Sequence, residues 1–224
     1  MFIIKNAQIQ NLPDIAACHI ACFPQSLATK LGTQYVEKTF EWFLDSPNRF
    51  LFHLAQGEMV VGYCGGFMPL KPGDGSSSGM LQHAFKQAIA GIIKNPFLLL
   101  HPEVRVNYAF LWMNIKRRIT GKAKPFKPVY VSKPFKQHIG LVVIGVLPAF
   151  RGQGLVQQLM GEFEVRARAL QQDEMVLSVK KDNGRAIKAY TGVGWSTLEE
   201  HDKTLVMHKV LTVEAMNKEE DDNE

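Results

Sequence analysis

The sequence predicts a domain of the α/β (α+β) class, in which short strands and amphipathic helices share one core. The chain has 224 residues, which is enough for one large domain. Its 46% hydrophobic and 21% charged residues are typical of a soluble globular protein and exclude a disordered or collagen-like chain. Strand-like and helix-like apolar spacing alternates in two blocks, 2–68 and 138–211, and a different segment, 69–137, separates them.

The first block begins with a strand and two helices and ends with a hairpin. Apolar side chains at helical spacing mark the helices. The first helix has Pro13 in its opening turn and Asp14 near the positive end of the helix dipole. The predicted elements are a strand at 2–10, a helix from Asn11, a helix across 36–44, and hairpin strands at 49–55 and 59–67.

The second block contains the remaining strands. An uninterrupted apolar run at 139–146 predicts a strand that is buried on both faces. The elements after it are a helix at 154–170, a strand at 175–179, a short helix at 185–191 and a last strand at 204–211. We therefore expect one domain over 1–212, interrupted by 69–137. The tail at 213–224 should be disordered, because five of its final six residues are acidic.

The segment 69–137 differs from both blocks in composition and charge. It holds 12 Lys and Arg against 2 Asp and Glu, a local charge of +10 in a chain of +5. A Gly- and Ser-rich loop at 71–79 precedes two predicted helices, one from Ser78 to Asn95 and one across 108–119. Residues 116–136 carry eight positive side chains and no acids.

Four interpretations of this basic insertion stay open. The simplest interpretation, a solvated basic face over two packed helices, is the one that we favour most. A lid over an anionic acceptor comes next, equal with a membrane-surface element, since residues 97–100 are apolar and basic residues follow. Contact with nucleic acid is disfavoured, because no recognised module is present and the aromatic residues are few.

The cysteines indicate the compartment. Cys18, Cys22 and Cys64 are too few, and odd in number, for a disulfide framework. No His or Cys pair at metal-ligand spacing accompanies them, so the sequence predicts no bound metal. Reduced core thiols fit a cytoplasmic location. We expect no secretory signal, because the N-terminus becomes polar by Lys5 and Asn6, and no transmembrane helix, because no run reaches the roughly 18 apolar residues that a span requires.

The segment Val146–Leu155 joins a buried strand to a helix through a Gly-rich turn. Such a turn aims unpaired backbone N–H groups and the positive end of a helix dipole at one point, which suits a pyrophosphate. Gly152 and Gly154 would let the phosphates approach closely. The spacing excludes a P-loop and also a dinucleotide fingerprint, since Gln157 stands where a third glycine is needed. On these residues alone, a phosphate site and a turn without a ligand are equally supported.

At this segment the sequence resembles the GNAT superfamily of acetyl-CoA-dependent N-acetyltransferases. That family carries Arg/Gln-x-x-Gly-x-Gly/Ala after a strand that often ends in Val-x-Pro. Arg151 and Gly154, preceded by Val146 and Pro148, match this pattern. Val156 departs from it, because the family has Gly or Ala there. The Val156 amide can still donate, so the resemblance implies weakened or altered CoA binding rather than its loss.

A second match to the family follows the next predicted strand, at Asn183-x-x-Ala186-x-x-x-Tyr190-x-x-x-Gly194-Trp195. By resemblance, Asn183 contacts the cofactor and Tyr190 lies near its sulfur. A phenol suits the role of donor to a departing thiolate, because its pKa of ~10 lies above that of a thiol. The alternative is an ordinary helical pair, Ala186 and Tyr190, against the sheet.

The resemblance covers 2–68 loosely and 138–211 closely. It implies a GNAT-like mixed, mostly antiparallel sheet flanked by helices, with the basic insertion between the third and fourth strands. The sheet should splay open between the strand that ends at Val146 and the strand at 175–179, where pantetheine would insert like an added strand. The implied cofactor-binding residues are Ile144, Val146, Arg151, Gly152, Gln153, Gly154, Leu155, Val156, Asn183 and Tyr190.

The implied reaction is direct attack of a primary amine on the thioester of acetyl-CoA, with Tyr190 as the general acid. The amine must lose a proton, yet the central strand at 141–145 offers no carboxylate. His138, just before that strand, is the leading candidate for the base because an imidazole pKa suits the task. His53 and Glu37 are weaker candidates. A structural histidine and a chain of water molecules are the alternatives.

Two functions therefore compete. The first is a cytoplasmic N-acetyltransferase for a small amine, with an anionic acceptor as one option. The second is a CoA-binding module with little catalysis that uses the insertion to bind a membrane surface or a macromolecular partner. Tyr190, Asn183 and the turn at 151–154 favour the enzyme, whereas Val156 and the missing strand carboxylate favour the module.

Overall fold

A seven-stranded sheet forms the centre of the protein in the computed structural model, which describes residues 1–71, 73–106, 108, 112, 116 and 137–211. The strands are β1 (Phe2–Asn6), β2 (Arg49–Gln56), β3 (Met59–Phe67), β4 (Ile139–Val146), β5 (Glu174–Lys180), β6 (Ser196–Glu200) and β7 (Thr204–Val210). They lie in the order β1-β2-β3-β4-β5-β7-β6. Every neighbouring pair is antiparallel except β4 and β5, which confirms a mixed, mostly antiparallel sheet.

Helices flank the sheet. Those of the described residues are α1 (Leu12–Cys22), α2 (Leu27–Leu31), α3 (Thr33–Glu41), α4 (Ser76–His83), α5 (Phe85–Lys94), α6 (Pro102–Val106), α7 (Leu155–Ala169) and α8 (Gly184–Thr191). Helices α4, α5 and α6 lie between β3 and β4 in the chain, so the position of the helical insertion is confirmed. The fold class predicted from the sequence is therefore correct.

Several elements differ from the predictions. The long insertion helix is two helices, because the chain leaves helical geometry at Ala84, with φ −93° and ψ 17°. It ends at Lys94, as a proline after Asn95 requires. The first strand stops at Asn6, and α2 and β6 were not predicted.

Two predicted segments lie outside the described residues. They are the second insertion helix across 108–119, apart from residues 108, 112 and 116, and the acidic tail at 213–224. The division of the chain into one interrupted domain and a tail stays a prediction.

The sheet splays open at its centre. β4 and β5 pair only at their beginnings, where Ile139 is opposite Met175 and Gly140 is opposite Val176. Beyond these residues β4 pairs with β3 and β5 pairs with β7, so a gap widens toward the ends of both strands. A bulge at Val142 interrupts the ladder between β4 and β3 beside this gap.

Two apolar clusters pack on the two faces of the sheet. Alternate residues of β3 belong to different clusters, since side chains along a strand point to opposite faces. Helices α7 and α8 cover one face, and Phe163 is wholly buried there. Helices α1 and α3 cover the other face, with Ile15 and Phe40 inside. The three cysteines are buried and free.

Candidate active site

A cavity of about 310 Å³ occupies the gap between β4 and β5. Residues of α1, β3, β4, β5 and α8 line it, so both faces of the splay contribute. Among the predicted site residues, Ile144, Asn183 and Tyr190 belong to this lining. The structure thus brings the end of the fourth strand and the second family-like motif to one place.

The turn after β4 has the backbone of an anion site. Gly152 and Gly154 have φ values of 79° and 75°, a region that side-chain-bearing residues rarely adopt. A Cβ at either position would meet no heavy atom within 4 Å, so conformation rather than crowding requires glycine. Gly154 is also the N-cap of α7, and no side chain caps this end. The first N–H groups of a helix have no partner within the helix, which leaves those from Leu155 onward available to a ligand.

The Arg151 guanidinium binds main chain rather than pointing away from the protein. Its Nε donates to the carbonyl of Val146 at 3.1 Å, and its Nη2 donates to the carbonyl of Cys22 at 3.4 Å. These bonds tie the turn to the ends of β4 and α1. Val156 is half-buried and packs against the core, which accounts for a branched side chain at this position. The cofactor-binding roles of these residues stay predictions.

The second motif forms the far wall of the cavity. The Asn183 side chain accepts a hydrogen bond from the Ala186 N–H at 3.3 Å and so caps α8. Tyr190 is only 9% exposed, and its ring lies 6.2 Å from that of Trp195. Burial, and next the nearby Cys64, raise the pKa of Tyr190 to about 12. This phenol is therefore protonated at neutral pH and can donate to a group in the cavity.

The three candidates for the base do not line the cavity. His138 is half-buried just before β4, whereas the β4 lining begins at Leu141. His53 is buried on β2, and burial followed by the charge of Lys5 lowers its pKa. Glu37 lies on α3 and is half-buried. Their assignment as bases stays a prediction.

A histidine and a tyrosine that the sequence did not single out face the cavity together. The Nδ1 of His19, on α1, lies 2.7 Å from the hydroxyl of Tyr63, on β3, and both residues line the cavity. Burial lowers the pKa of His19 to about 4 and raises that of Tyr63 well above its usual value. Gly145 makes room for the pair, because a Cβ there would lie 2.6 Å from the Tyr63 ring.

The sequence carried one signal for this pair. His19 falls on the same helical stripe as Ile15 and Ala16, so a titratable group occupies an inward position of an apolar face. Tyr63 has no local signature, since it is one aromatic residue in a hairpin strand. The two residues are 44 positions apart, and only the fold shows that they meet.

A larger cavity of about 470 Å³ lies beside α4, away from both motifs. Its walls include Trp42 and Arg49, whose guanidinium stacks 3.9 Å from the indole and donates to the Trp42 carbonyl. No residue of either motif contributes to its described lining. We therefore place the candidate site in the smaller cavity.

Two further properties of the described chain bear on the site. No three His, Cys, Asp or Glu side chains gather as a metal-ligand set within the described ranges. None of the helices in that part of the chain is long and apolar enough to cross a bilayer.

Known proteins match the part of the chain that builds this site. The family model described as Acetyltransferase (GNAT) family matches residues 108–195, which include β4, the Gly-rich turn, β5 and α8. No curated protein matches the sequence.

Solved structures share the fold over nearly the whole chain. NAA60 of Arabidopsis thaliana in complex with acetyl-CoA has a TM-score of 0.56 at 11% identity, covering 94% of this chain and 99% of the other. PaiA N-acetyltransferase of Thermoplasma acidophilum in complex with coenzyme A has 0.54 at 9%, with coverage of 94% and 99%. The ribosomal-protein-S18-alanine N-acetyltransferase of Escherichia coli has 0.50 at 16%, with coverage of 97% and 98%.

Proposed function

We propose that the chain, which belongs to the GNAT acetyltransferase family, transfers the acetyl group of acetyl-CoA to the primary amine of a small-molecule acceptor. One observation carries this proposal. The open edge of β4 and Tyr190 border one gap in the sheet, and the Gly-rich turn follows directly on the end of β4. These are the three parts that binding a CoA thioester and releasing its thiol require.

The edge of β4 fits an extended pantetheine arm. Beyond Gly140, the described strand β4 pairs with β3 alone, so its backbone groups on the β5 side are available. Amides of an inserted chain can bond to such an edge as an added strand does. Ile144 lines the cavity along this edge. Acetyl-CoA would supply the activated acetyl group there.

The turn after β4 fits the pyrophosphate. Positive φ at Gly152 and Gly154 exposes backbone N–H groups, and the 15-residue helix α7 adds the positive end of its dipole. Two lysines at the end of β5 pair with acids, Lys180 with Glu103 at 3.2 Å and Lys181 with Glu200 at 2.6 Å. Backbone amides rather than lysine charges therefore carry this part of the proposal.

Tyr190 fits the role of general acid. Its hydroxyl is protonated at neutral pH because burial raises the pKa to about 12. A thiolate leaving group is less basic than a phenolate, but protonation during C–S cleavage prevents the reverse attack. Tyr190 lines the cavity on the β5 side, opposite α1.

The size of the cavity supports a small acceptor. A volume of about 310 Å³ has to hold the end of the pantetheine arm as well as the amine, and it lies at the low end of ligand pockets. The side chains of Phe23 and Ser26 border it after α1. We also propose a cytoplasmic location, which the three free cysteines support.

Calorimetry and a thiol-release assay test the proposal together. The protein should bind acetyl-CoA, and free thiol should appear with at least one member of a panel that contains a polyamine, an amino sugar, an amino acid and an aralkylamine. A peptide with a free N-terminus belongs in the panel, since the E. coli structure is named for such an acceptor. Thiol release with the peptide alone would replace the small-molecule acceptor by a protein, and binding without any release would favour the module.

The second candidate function, a module that binds a membrane surface, has one observation in its favour. Ile93, Phe97 and Leu100 in the insertion are exposed, Phe97 by 81%, and Lys94 is exposed among them. Exposed apolar side chains beside cations suit an anionic lipid surface. Co-sedimentation with phosphatidylserine-containing and purely zwitterionic vesicles tests it. Phe97→Ser should reduce binding to the anionic vesicles, and equal recovery with both vesicle types would exclude this candidate.

A further inference from the structure

The walls of the cavity hold few groups that can accept a proton. Of its described lining residues, four titrate: His19, Tyr63, Lys180 and Tyr190. Lys180 pairs with Glu103, and both phenols keep their protons at neutral pH because burial raises their pKa values. No carboxylate is among the described residues that line the cavity. The imidazole of His19 is the one side chain of this set that offers a neutral nitrogen lone pair.

The protein fixes the orientation of this imidazole. The Tyr63 hydroxyl is 2.7 Å from Nδ1, and Tyr63 is itself wholly buried. The rings of Phe23 and Phe40 lie 5.2 and 5.5 Å from the imidazole ring, and Phe40 also packs on Tyr63. A ring held by one hydrogen bond and three aromatic neighbours has little freedom to turn.

The second ring nitrogen is left without a partner. Nε2 of His19 is buried and has no hydrogen-bond partner in the described part of the chain. A buried polar atom without a partner is costly, and such atoms in native structures are usually completed by water or a ligand. A nitrogen-bearing acceptor would complete it once the side chains that cover Nε2 move aside.

We propose that His19, oriented by Tyr63, is the base that takes the proton of the acceptor amine during acetyl transfer. This inference rests on the proposed acetyltransferase function. The proposal takes the tautomer in which Nδ1–H donates to the Tyr63 hydroxyl oxygen, because that tautomer leaves the lone pair on Nε2. Tyr63 is a positioning residue, and His19 is the catalytic one. The base thus lies on the α1 wall of the cavity, and the acid, Tyr190, lies on the opposite wall.

The step balances in atoms and charge. The acceptor enters as a free amine, its nitrogen bonds to the thioester carbonyl carbon, and its proton moves to Nε2. The C–S bond breaks, the electron pair stays on sulfur, and the sulfur takes the hydroxyl proton of Tyr190. The proton on His19 then passes through solvent to Tyr190, so both side chains return to their starting state.

The surroundings of His19 set the pH at which it works. Tyr63 on β3 is bonded to it, Cys18 and Cys22 flank it on α1, Arg151 donates to the Cys22 carbonyl, Lys180 on β5 and Tyr190 on α8 line the same cavity, and α3 contributes the Phe40 ring. Burial lowers the pKa of His19 to about 4, so the imidazole stays neutral throughout the physiological range and is a weaker base than an exposed imidazole. A base with an ordinary imidazole pKa would instead lose activity near pH 6.5.

Three glutamine variants test the assignment. His19→Gln should lower kcat for thiol release about 100-fold with the best amine of the panel, the usual loss when a general base is removed. The affinity for acetyl-CoA by calorimetry should stay within about twofold, since the change removes a proton acceptor rather than a cofactor contact. His201→Gln, at an exposed position outside the described lining of the cavity, is the matched control and should keep wild-type kcat, whereas a loss of kcat in His138→Gln would move the base to that residue.

The pH profile separates a base from a structural histidine. Wild-type kcat should hold down to about pH 6, whereas kcat of His19→Gln should rise with pH because hydroxide and free amine replace the lost base. Tyr63→Phe should lower kcat about tenfold, because an imidazole without its hydrogen-bond partner is less well oriented. If His19→Gln keeps the wild-type kcat and pH profile, or if a control variant loses the activity instead, the assignment is wrong.

Two readouts keep the outcomes distinct. A wild-type protein that binds acetyl-CoA but releases no thiol overturns both the function and this inference, whereas turnover that survives His19→Gln overturns the inference alone. If His19→Gln and Tyr63→Phe both unfold, ¹⁵N-histidine spectra of the wild type with acetyl-CoA and the same amine test whether His19 contacts the acceptor. The Nε2 resonance of His19 should shift on addition of the amine, and an unchanged resonance contradicts the proposal.

Discussion

The two walls of the cavity are built in different ways. On the wall formed by β5 and α8, Asn183 and Tyr190 lie seven positions apart on one short helix and belong to one motif. On the wall formed by α1 and β3, His19 and Tyr63 come from elements 44 positions apart, and one hydrogen bond joins them. The two residues of the first wall are therefore recognisable as a pattern in the sequence, whereas the two residues of the second wall come together only when the chain folds.

This difference follows from what each wall binds. A cofactor presents the same sulfur and the same phosphates whatever the acceptor, so the elements that bind it can keep a fixed local pattern. The acceptor side is built from variable elements around the same sheet, and its chemistry depends on which side chains the fold brings together. We therefore expect substitutions on both walls to lower kcat, through slower thiol departure on the β5 and α8 wall and through loss of the proton acceptor for the amine on the α1 and β3 wall.

The largest effect should come from a substitution on the wall formed by β5 and α8. Tyr190→Phe removes the proton donor to the leaving sulfur and should lower kcat for thiol release by at least about 100-fold. Acetyl-CoA affinity should hold, because the phenyl ring keeps the packing against Trp195. Stopped-flow thiol release and calorimetry measure the two quantities. A collapse of affinity with unchanged turnover per bound CoA would make Tyr190 a binding residue and not an acid.

The two walls also differ in how much of each could be predicted from the sequence. The Gly-rich turn could be predicted from its own residues, and the splayed sheet and the place of Tyr190 follow from the family resemblance that two local motifs carry. His138, just before the fourth strand, is the leading candidate from the sequence because an imidazole pKa suits the task, and this assignment stays a prediction; the described lining of that strand begins at Leu141. The pairing of His19 with Tyr63 could not be predicted, because the two residues are 44 positions apart and meet only through tertiary contacts.

A second prediction concerns the contact between Gly145 on β4 and Tyr63 on the α1 and β3 wall. Gly145→Ala should lower the free energy of unfolding by about 1–3 kcal/mol, because the new Cβ would lie 2.6 Å from the Tyr63 ring in a packed core. Displacing Tyr63 should also lower kcat. Gly140→Ala on the same strand is the control, since its nearest neighbour would be an ordinary 3.4 Å away. Urea unfolding of both variants measures the difference, and equal losses would mean that Gly145 does not make room for Tyr63.

A third prediction uses pH to examine the α1 wall without any ligand. Burial depresses the folded-state pKa of His19 from 6.5 to about 4, so the unfolded chain binds more protons between these values. Stability should therefore rise as pH increases from about 4 to 6.5 and show no further contribution from His19 above that. His53, whose pKa burial also lowers, acts in the same direction.

The variant His19→Gln isolates the contribution of His19 to the pH dependence of stability. Between pH 6.5 and 5 the wild type should lose about 1 kcal/mol more than the variant, less than the full linkage value because His19 is not completely buried. Chemical denaturation at the two pH values measures this. Parallel curves for the two proteins would show that burial does not depress the pKa of His19.

The smallest effects distinguish two glycines around α7. Gly154→Ala should destabilise the protein by about 1 kcal/mol, because φ is 75° there and a Cβ disfavours that conformation. It should also weaken acetyl-CoA binding, since relief of the strain would turn the amides of the Gly-rich turn. Gly161→Ala, inside α7 with no heavy atom near its Cβ, should instead stabilise by about 0.5–1 kcal/mol and leave binding unchanged. Thermal melts with and without acetyl-CoA measure both effects. If Gly154→Ala binds acetyl-CoA as tightly as Gly161→Ala does, phosphate binding does not depend on the conformation of this turn, and the Gly-rich turn is not the pyrophosphate site.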